Sequence, residues 1–187
     1  MDLWNLFFVA TIGAFTMTAA ISDYQTRRLP NWLTVSALAA GLAAHTLVNG
    51  LAGLGFSLLG FATGFGILLI LWLIGGSGGG DVKLMGALGA WLGASLTFHV
   101  FVLSAVVAAI AAAAVLLADM LNRGFGFVRR RYLAAGSAGR LGLANARDSA
   151  GGRSRRASYR ILPYAVPVAA GTWLTLAYAW LACRLPW

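Results

Sequence analysis

The chain carries five aspartates and no glutamate, so carboxylate chemistry has to come from Asp2, Asp23, Asp81, Asp119 and Asp148. Asp2 and Asp148 stand where a solvated charge needs no further explanation. Asp119 precedes Arg123 by four residues, the spacing of an ion pair along a helix. Asp23 and Asp81 are different. Asp23 follows an uncharged run from Leu3 to Ile21, and Asp81 closes the glycine-rich run 75–80. Taken singly, Asp23 is an interfacial charge paired with Arg27, and Asp81 is the N-cap of the next helix. Taken together, they can do chemistry. Two carboxylates brought close share one proton, because two negative charges a few ångströms apart do not both persist in a poorly solvated site. One carboxylate then takes a proton from water while the other, protonated, polarises a carbonyl. The result is amide hydrolysis without a covalent intermediate.

Other chemistries find less support. Cys183 is the only cysteine, so neither an internal disulfide nor a cysteine-rich metal site is available. His45 and His99 lie far apart in apolar surroundings, which fits structural or capping roles better than ligation. No metal and no cofactor are expected. The stretch from Gly75 to Lys83 lacks the spacing of a phosphate-binding loop, and no Ser or Thr follows Lys83. Ser22 and Ser77 have no histidine at helical or loop spacing. Lys83, two residues after Asp81, points away from it on a helix and suits an interfacial anchor.

The elements that must position the aspartates follow from composition. The 187 residues are 60% hydrophobic and 10% charged, with a mean hydropathy of +0.80. A soluble domain is nearer ~45–50% apolar and ~25% charged, and a chain this short has no core large enough to hide the excess. The expected fold is all-α, a polytopic membrane protein with about six transmembrane helices forming a single domain over 1–187. The spans are read at about Leu3–Ile21, Trp32–Val48, Leu51–Ile74, Val82–Leu96, Phe98–Leu117 and Leu162–Ala182, the last interrupted early by Pro167. Pro30-Asn31 suits the first turn of the second helix, and Asn49-Gly50 suits a tight turn into the third. The glycines of 75–80 forbid continuous helix there and permit close approach of a substrate strand or a neighbouring helix. The pairs Gly60/Gly64 and Gly89/Gly93 predict tight contacts of the third and fourth spans.

Charge placement sets the orientation. Arg27 and Arg28, Lys83, and ten arginines between Arg123 and Arg160 all fall in connections that six alternating crossings put on one side. That side should be the cytoplasm, with both termini outside. The segment 122–160 is expected to be mobile or partly helical, to set topology and to contact anionic lipid headgroups. No nucleic-acid-binding motif accompanies it, and no nucleic-acid partner is expected. Asp23 and Asp81 then lie at cytoplasmic ends of two helices, where ionisable groups are functional candidates.

These residues resemble a known family. Asp23 through Asn31, with Arg27 or Arg28 followed by Leu29-Pro30-Asn31, is similar to the D-x(3)-R-x-(I/L)-P-N segment of type IV prepilin peptidases. Gly78-Gly79-Gly80-Asp81-Val82-Lys83 is similar to their G-x-G-D-x-K motif, and Ile161-Leu162-Pro163-Tyr164 resembles the opening of their last helix. The resemblance implies an intramembrane aspartyl endopeptidase of the prokaryotic plasma membrane that cuts the basic leader from prepilins at the cytoplasmic face. It implies Asp23 and Asp81 as catalytic residues, with Gly78, Gly80, Lys83, Arg27, Pro30 and Asn31 as the surrounding motifs. Because the sequence begins with the first span and has one cysteine, it resembles the short peptidase-only members serving Flp/Tad-type pili, and N-methyltransferase activity is not expected. Presenilin-like proteins share G-x-G-D but pair it with a Tyr-Asp helix and a P-A-L-P motif, and neither occurs here. The rival expectations are a small transporter or pilus-assembly subunit using the two aspartates for ion or proton binding, and an inactive scaffold.

Overall fold

A computed structural model describes residues 3–26, 29–74, 78–123 and 164–181. Its described residues are helical: α1 (Leu3–Thr26), α2 (Asn31–Leu73), α3 (Gly79–Arg123) and α4 (Ala165–Leu181). They fall into two compact units, one of residues 1–108 with 163–187 and one of residues 109–162. The described part of the second unit is the end of α3, which carries Asp119. The segment expected to form a basic loop, together with Arg27, Ser77, Asp148 and Cys183, lies outside the described residues.

Both long helices are broken at a glycine. Gly50 has φ 59° and Gly93 has φ 72°, in the region that residues with a Cβ avoid. Contacts show that each break is a fold-back. Trp91 donates its indole N–H to the carbonyl of Ala37 at 2.7 Å, on the first arm of α2, while Ser57 on the second arm donates to the carbonyl of Ala90 at 2.7 Å. One stretch of α3 therefore touches both arms of α2, and these arms form a helical hairpin closed at Gly50. The same logic applies at Gly93. A Cβ on Gly60 would strike the backbone of Gly89 and Gly93, and one on Gly64 would strike Met85 and Thr97. Moving one turn along α2 thus moves one turn away from Gly93 on both of its flanks. The tight contacts expected of the third and fourth spans are thus present, with Gly60 against Gly89 and Gly93 and Gly64 against Met85.

The break was expected between Leu96 and Phe98 and lies instead at Gly93. Its carbonyl neighbours explain how the position is tolerated. A helix that ends leaves its last carbonyls without helical donors, and two of these accept from α2: Ala90 from Ser57, and Trp91 from Nε2 of His45 at 3.0 Å. A carbonyl only accepts, so Nε2 carries the hydrogen, and His45 is a buried cap, as its apolar surroundings suggested. Phe8 and Phe56 hold its ring from α1 and α2, each with centroids 5.0 Å away.

Three helices, Asn5–Thr26, Asn31–Leu73 and Gly79–Asn122, are long and apolar enough to cross a membrane, and Ala165–Leu181 is apolar but shorter. Their outward faces are apolar too: Leu47, Leu51 and Ile74 are each more than four-fifths exposed. In water such a surface would be costly; against lipid tails it is the matching surface. The protein is an all-helical membrane protein.

Inside the first unit, α1 packs along α4 and touches α2. Trp173 lies against Gly13, where a Cβ would come within 2.8 Å of its ring. Pro167 does not interrupt α4. It is the third residue of that helix, within the first turn, where a missing N–H costs nothing.

Candidate active site

The C-terminal end of α1 and the N-terminal ends of α2, α3 and α4 meet at one end of the first unit. Asp23 and Asp81 are both there, 2% and 3% exposed. Burial at this level requires partners, and backbone donors supply one for each carboxylate.

Asp81 stands third in α3 and is not its N-cap: that position falls to Gly78, because the helix begins three residues earlier than expected. Its own N–H donates to the carbonyl of Gly78 at 3.0 Å, and the N–H of Gly78 donates back to its Oδ2 at 3.1 Å. The second bond is the reach-back half of a capping box, made by Asp in the place of the usual Glu; Gly78 has no side chain to supply the other half. This bond fixes the carboxylate relative to the glycine run. The aspartate is therefore structural and site-directed at once.

Asp23 finds its donor far away in sequence. The N–H of Ala165 donates to Oδ2 of Asp23 at 3.0 Å across 142 residues. Ala165 opens α4, whose first N–H groups have no helical acceptor. Pro167 has none to offer, and that of Val168 reaches the carbonyl of Tyr164 at 3.2 Å. Asp23 thus satisfies a donor that α4 would otherwise bury unpaired.

The residue before it completes the connection. Tyr164 packs half-buried against the core, beside Ser104 and near enough to Asp81 to feel its charge. Asp23 and Asp81, 58 positions apart in the chain, thus lie at the same end of the bundle, Asp23 bonded to Ala165 and Asp81 near enough to the preceding Tyr164 for its charge to be felt there.

The two sequence motifs are also joined directly. Lys83 Nζ donates to Oδ1 of Asn31 at 2.9 Å, and Leu29 packs over Gly80, where a Cβ would sit 3.6 Å from it. Pro30 holds an extended conformation (φ −67°, ψ 131°) as the N-cap of α2, and its carbonyl accepts from Leu33 at 3.1 Å. Lys83 was expected to anchor at the interface; it is exposed, and its ammonium ties the start of α3 to the start of α2. Gly78, Gly80, Pro30, Asn31 and Lys83 are thus brought together with Asp81, while Arg27 lies outside the described residues. Sequence reasoning missed Ser104 and the backbone of Ala165. Tyr164 was visible only as part of the proline-tyrosine opening of the last helix.

The model of the type IV leader peptidase family matches residues 10–113. A prepilin leader peptidase/N-methyltransferase of Burkholderia pseudomallei is 39% identical over 112 residues, 54% of this chain and 36% of that protein. Proteins of the same description from Escherichia coli K12 and Bacillus subtilis 168 are 36% identical over 86 residues and 31% identical over 121 residues. Those matches cover 42% and 64% of this chain and 38% and 48% of the relatives. The chain spans between about a third and a half of the length of the curated relatives it matches. No solved structure matches it. The family match spans more than half of the chain, including both aspartates, both glycine fold-backs and the Asn31–Lys83 tether: the chain belongs to the type IV leader peptidase family.

Proposed function

We propose that this protein is an aspartyl endopeptidase that removes the basic leader from prepilins of the Flp/Tad type, with Asp23 and Asp81 as its acid–base pair. The observation that carries it is the burial of the two carboxylates at one end of the bundle, each held by a backbone N–H. The printed names of the relatives, prepilin leader peptidases, supply the substrate class.

The chemistry needs a water and one shared proton. One aspartate takes a proton from water as the oxygen bonds to the scissile carbonyl carbon, while the other gives its proton to the carbonyl oxygen. Collapse of the tetrahedral species breaks the C–N bond as the first aspartate passes its proton to the amine, and the second recovers one from the geminal diol. Both carboxyl groups end as they began. Leader removal alone is proposed, without the N-methylation that the relatives' names add; the single Cys183 supports this, since the larger members resembled carry paired cysteines.

The six helical segments fit six crossings of one membrane domain in the plasma membrane, with the aspartate end cytoplasmic and both termini outside. The arginines of 123–160 support that orientation and contact with anionic headgroups. A prepilin presents a basic leader followed by an apolar membrane helix, so its scissile bond reaches the boundary where the pair sits. The arginine-rich segment would repel such a leader and is not its dock.

Co-expression with a candidate prepilin tests the proposal through the gel shift that accompanies leader loss. Wild type is expected to cleave, and Asp23→Asn and Asp81→Asn are expected not to. Undiminished cleavage by either variant would sink the mechanism.

A further inference from the structure

The second arm of α3 carries two polar residues on a face that no described helix covers. Ser95 and His99, one helical turn apart, are exposed together with Phe98, Val102, Ala105 and Val106, while Ser104 on the opposite side packs against Gly171 of α4. Depth makes this exposure costly. Gly60 meets Gly93, and the ten residues from Gly50 to Gly60 put that contact about 15 Å inside the Gly50 turn. The twelve residues from Asp81 to Gly93 rise about 18 Å. Together the two distances match an apolar layer of about 30 Å, so the Gly93 fold-back is inside that layer. Ser95 and His99, just past it on the returning arm, face hydrocarbon. Nδ1 of His99 donates to the carbonyl of Ser95 at 2.8 Å, and since a carbonyl only accepts, Nε2 of the uncharged ring presents a lone pair. Thr97 and Ser104 direct their hydroxyl hydrogens to carbonyls of their own arm, Gly93 at 2.6 Å and Phe101 at 2.9 Å. The carbonyls three and four residues before Ser95, those of Leu92 and Trp91, lie beyond the break at Gly93, and its hydroxyl bonds neither. Among the described residues, the Ser95 hydroxyl and Nε2 of His99 have no partner.

We infer that this face of α3 docks a second copy of the chain, the Ser95 hydroxyl of each protomer donating to Nε2 of His99 in the other. The face is self-complementary, with one free donor and one free acceptor. The His99 ring leans back toward Ser95, as its bond to that carbonyl shows, so both groups lie at nearly one level. A two-fold axis along the membrane normal then sets donor opposite acceptor twice. A foreign helix would have to bring a matching acceptor and donor of its own, whereas a second copy has both by symmetry. Val102, Ala105 and Val106 continue the contact with apolar side chains, and the small Ala105 permits close approach. Polar groups facing lipid tails are costly, and a hydrogen bond between helices removes that cost. The inference uses the membrane fold and stands apart from the chemistry of the aspartates.

The experiment uses the full-length protein in lipid vesicles, with self-association read by single-molecule photobleaching. Wild type is expected to give pairs. His99→Leu and Ser95→Ala each remove both bonds of a pair, so each should weaken association about tenfold. The double variant should be no weaker than either single one, because the two changes break the same bonds. His99→Gln restores an acceptor and should recover most of the association. Should His99→Leu fail to fold, Ser95→Ala, which removes one hydroxyl from an exposed position, decides the matter alone. In a Cys183→Ser background, mild oxidation should join two copies of Val102→Cys through a disulfide and should not join two copies of Leu58→Cys, exposed on α2. A wild type that stays monomeric overturns the inference, as does association that folded Ser95→Ala leaves undiminished. Crosslinking of Val102→Cys to a co-expressed prepilin in place of a second copy would also overturn it, and would make this face a dock for substrate.

Discussion

At the scale of single residues, the end of the bundle is organised by where backbone donors point. Gly78 and Ala165 each give an N–H to one carboxylate oxygen, which fixes its orientation. The cation nearest in sequence, Lys83, is turned to Asn31 instead. That tether joins two loops, so Asn31→Ala and Lys83→Ala should each lower kcat/KM about fivefold, and the double variant should be no worse than either alone. The coupling expected from such a cycle is about 1 kcal/mol, at the low end because Lys83 is exposed to solvent. Additive losses would show that the bond does not serve the site. The carboxylate pair itself was legible in the sequence because acidic residues are so scarce that only two candidates remained. Their partners were not legible. A backbone N–H has no residue type to read, and the one that holds Asp23 lies 142 positions away.

At the scale of elements, the bundle depends on two helices that fold back at Gly50 and Gly93. The Gly93 break is stabilised by side chains of α2 that cap its carbonyls, His45 foremost. His45→Ala would leave the Trp91 carbonyl buried without that donor and should cost about 1–3 kcal/mol of stability. Unfolding in mixed detergent would measure it. Close approach is the second requirement. Gly60→Val pushes a side chain into the backbone of Gly89 and should destabilise by about 1–3 kcal/mol, whereas Gly55→Ala meets nothing within 4 Å and should be neutral or slightly stabilising. Equal effects at Gly55 and Gly60 would contradict the packing. The turn at Gly50 was legible because asparagine and glycine stand between two apolar runs. The Gly93 break was not, because a glycine needed for positive φ and one needed for packing are spelled the same. Gly89 and Gly93 serve those different purposes one turn apart.

At the scale of the whole molecule, charge asymmetry predicts the topology. In a Cys183→Ser background, a cysteine at Asn49 should react with a membrane-impermeant maleimide from outside intact cells, and one at Ser137 only after permeabilisation. The reverse pattern would invert the proposed orientation and place the aspartates at the wrong face for a cytoplasmic leader. Leader removal without methylation makes a separate prediction. A pilin matured by this protein alone should carry an unmodified N-terminal amine by mass spectrometry, and a gain of one methyl group would show a second activity.

The sequence by itself determined the solvent, the helical class and the two carboxylates that could react. Those properties depend on composition and on runs of residues adjacent in the chain, because lipid tolerates few backbone arrangements and each must be long and apolar. Tertiary structure alone decided what surrounds the aspartates: Asn31 against Lys83, Leu29 over Gly80, and Ala165 on Asp23. Such contacts are made where helix ends converge, and an N–H left over at a helix end, as at Ala165, takes whichever partner the packing of the other helices brings within reach.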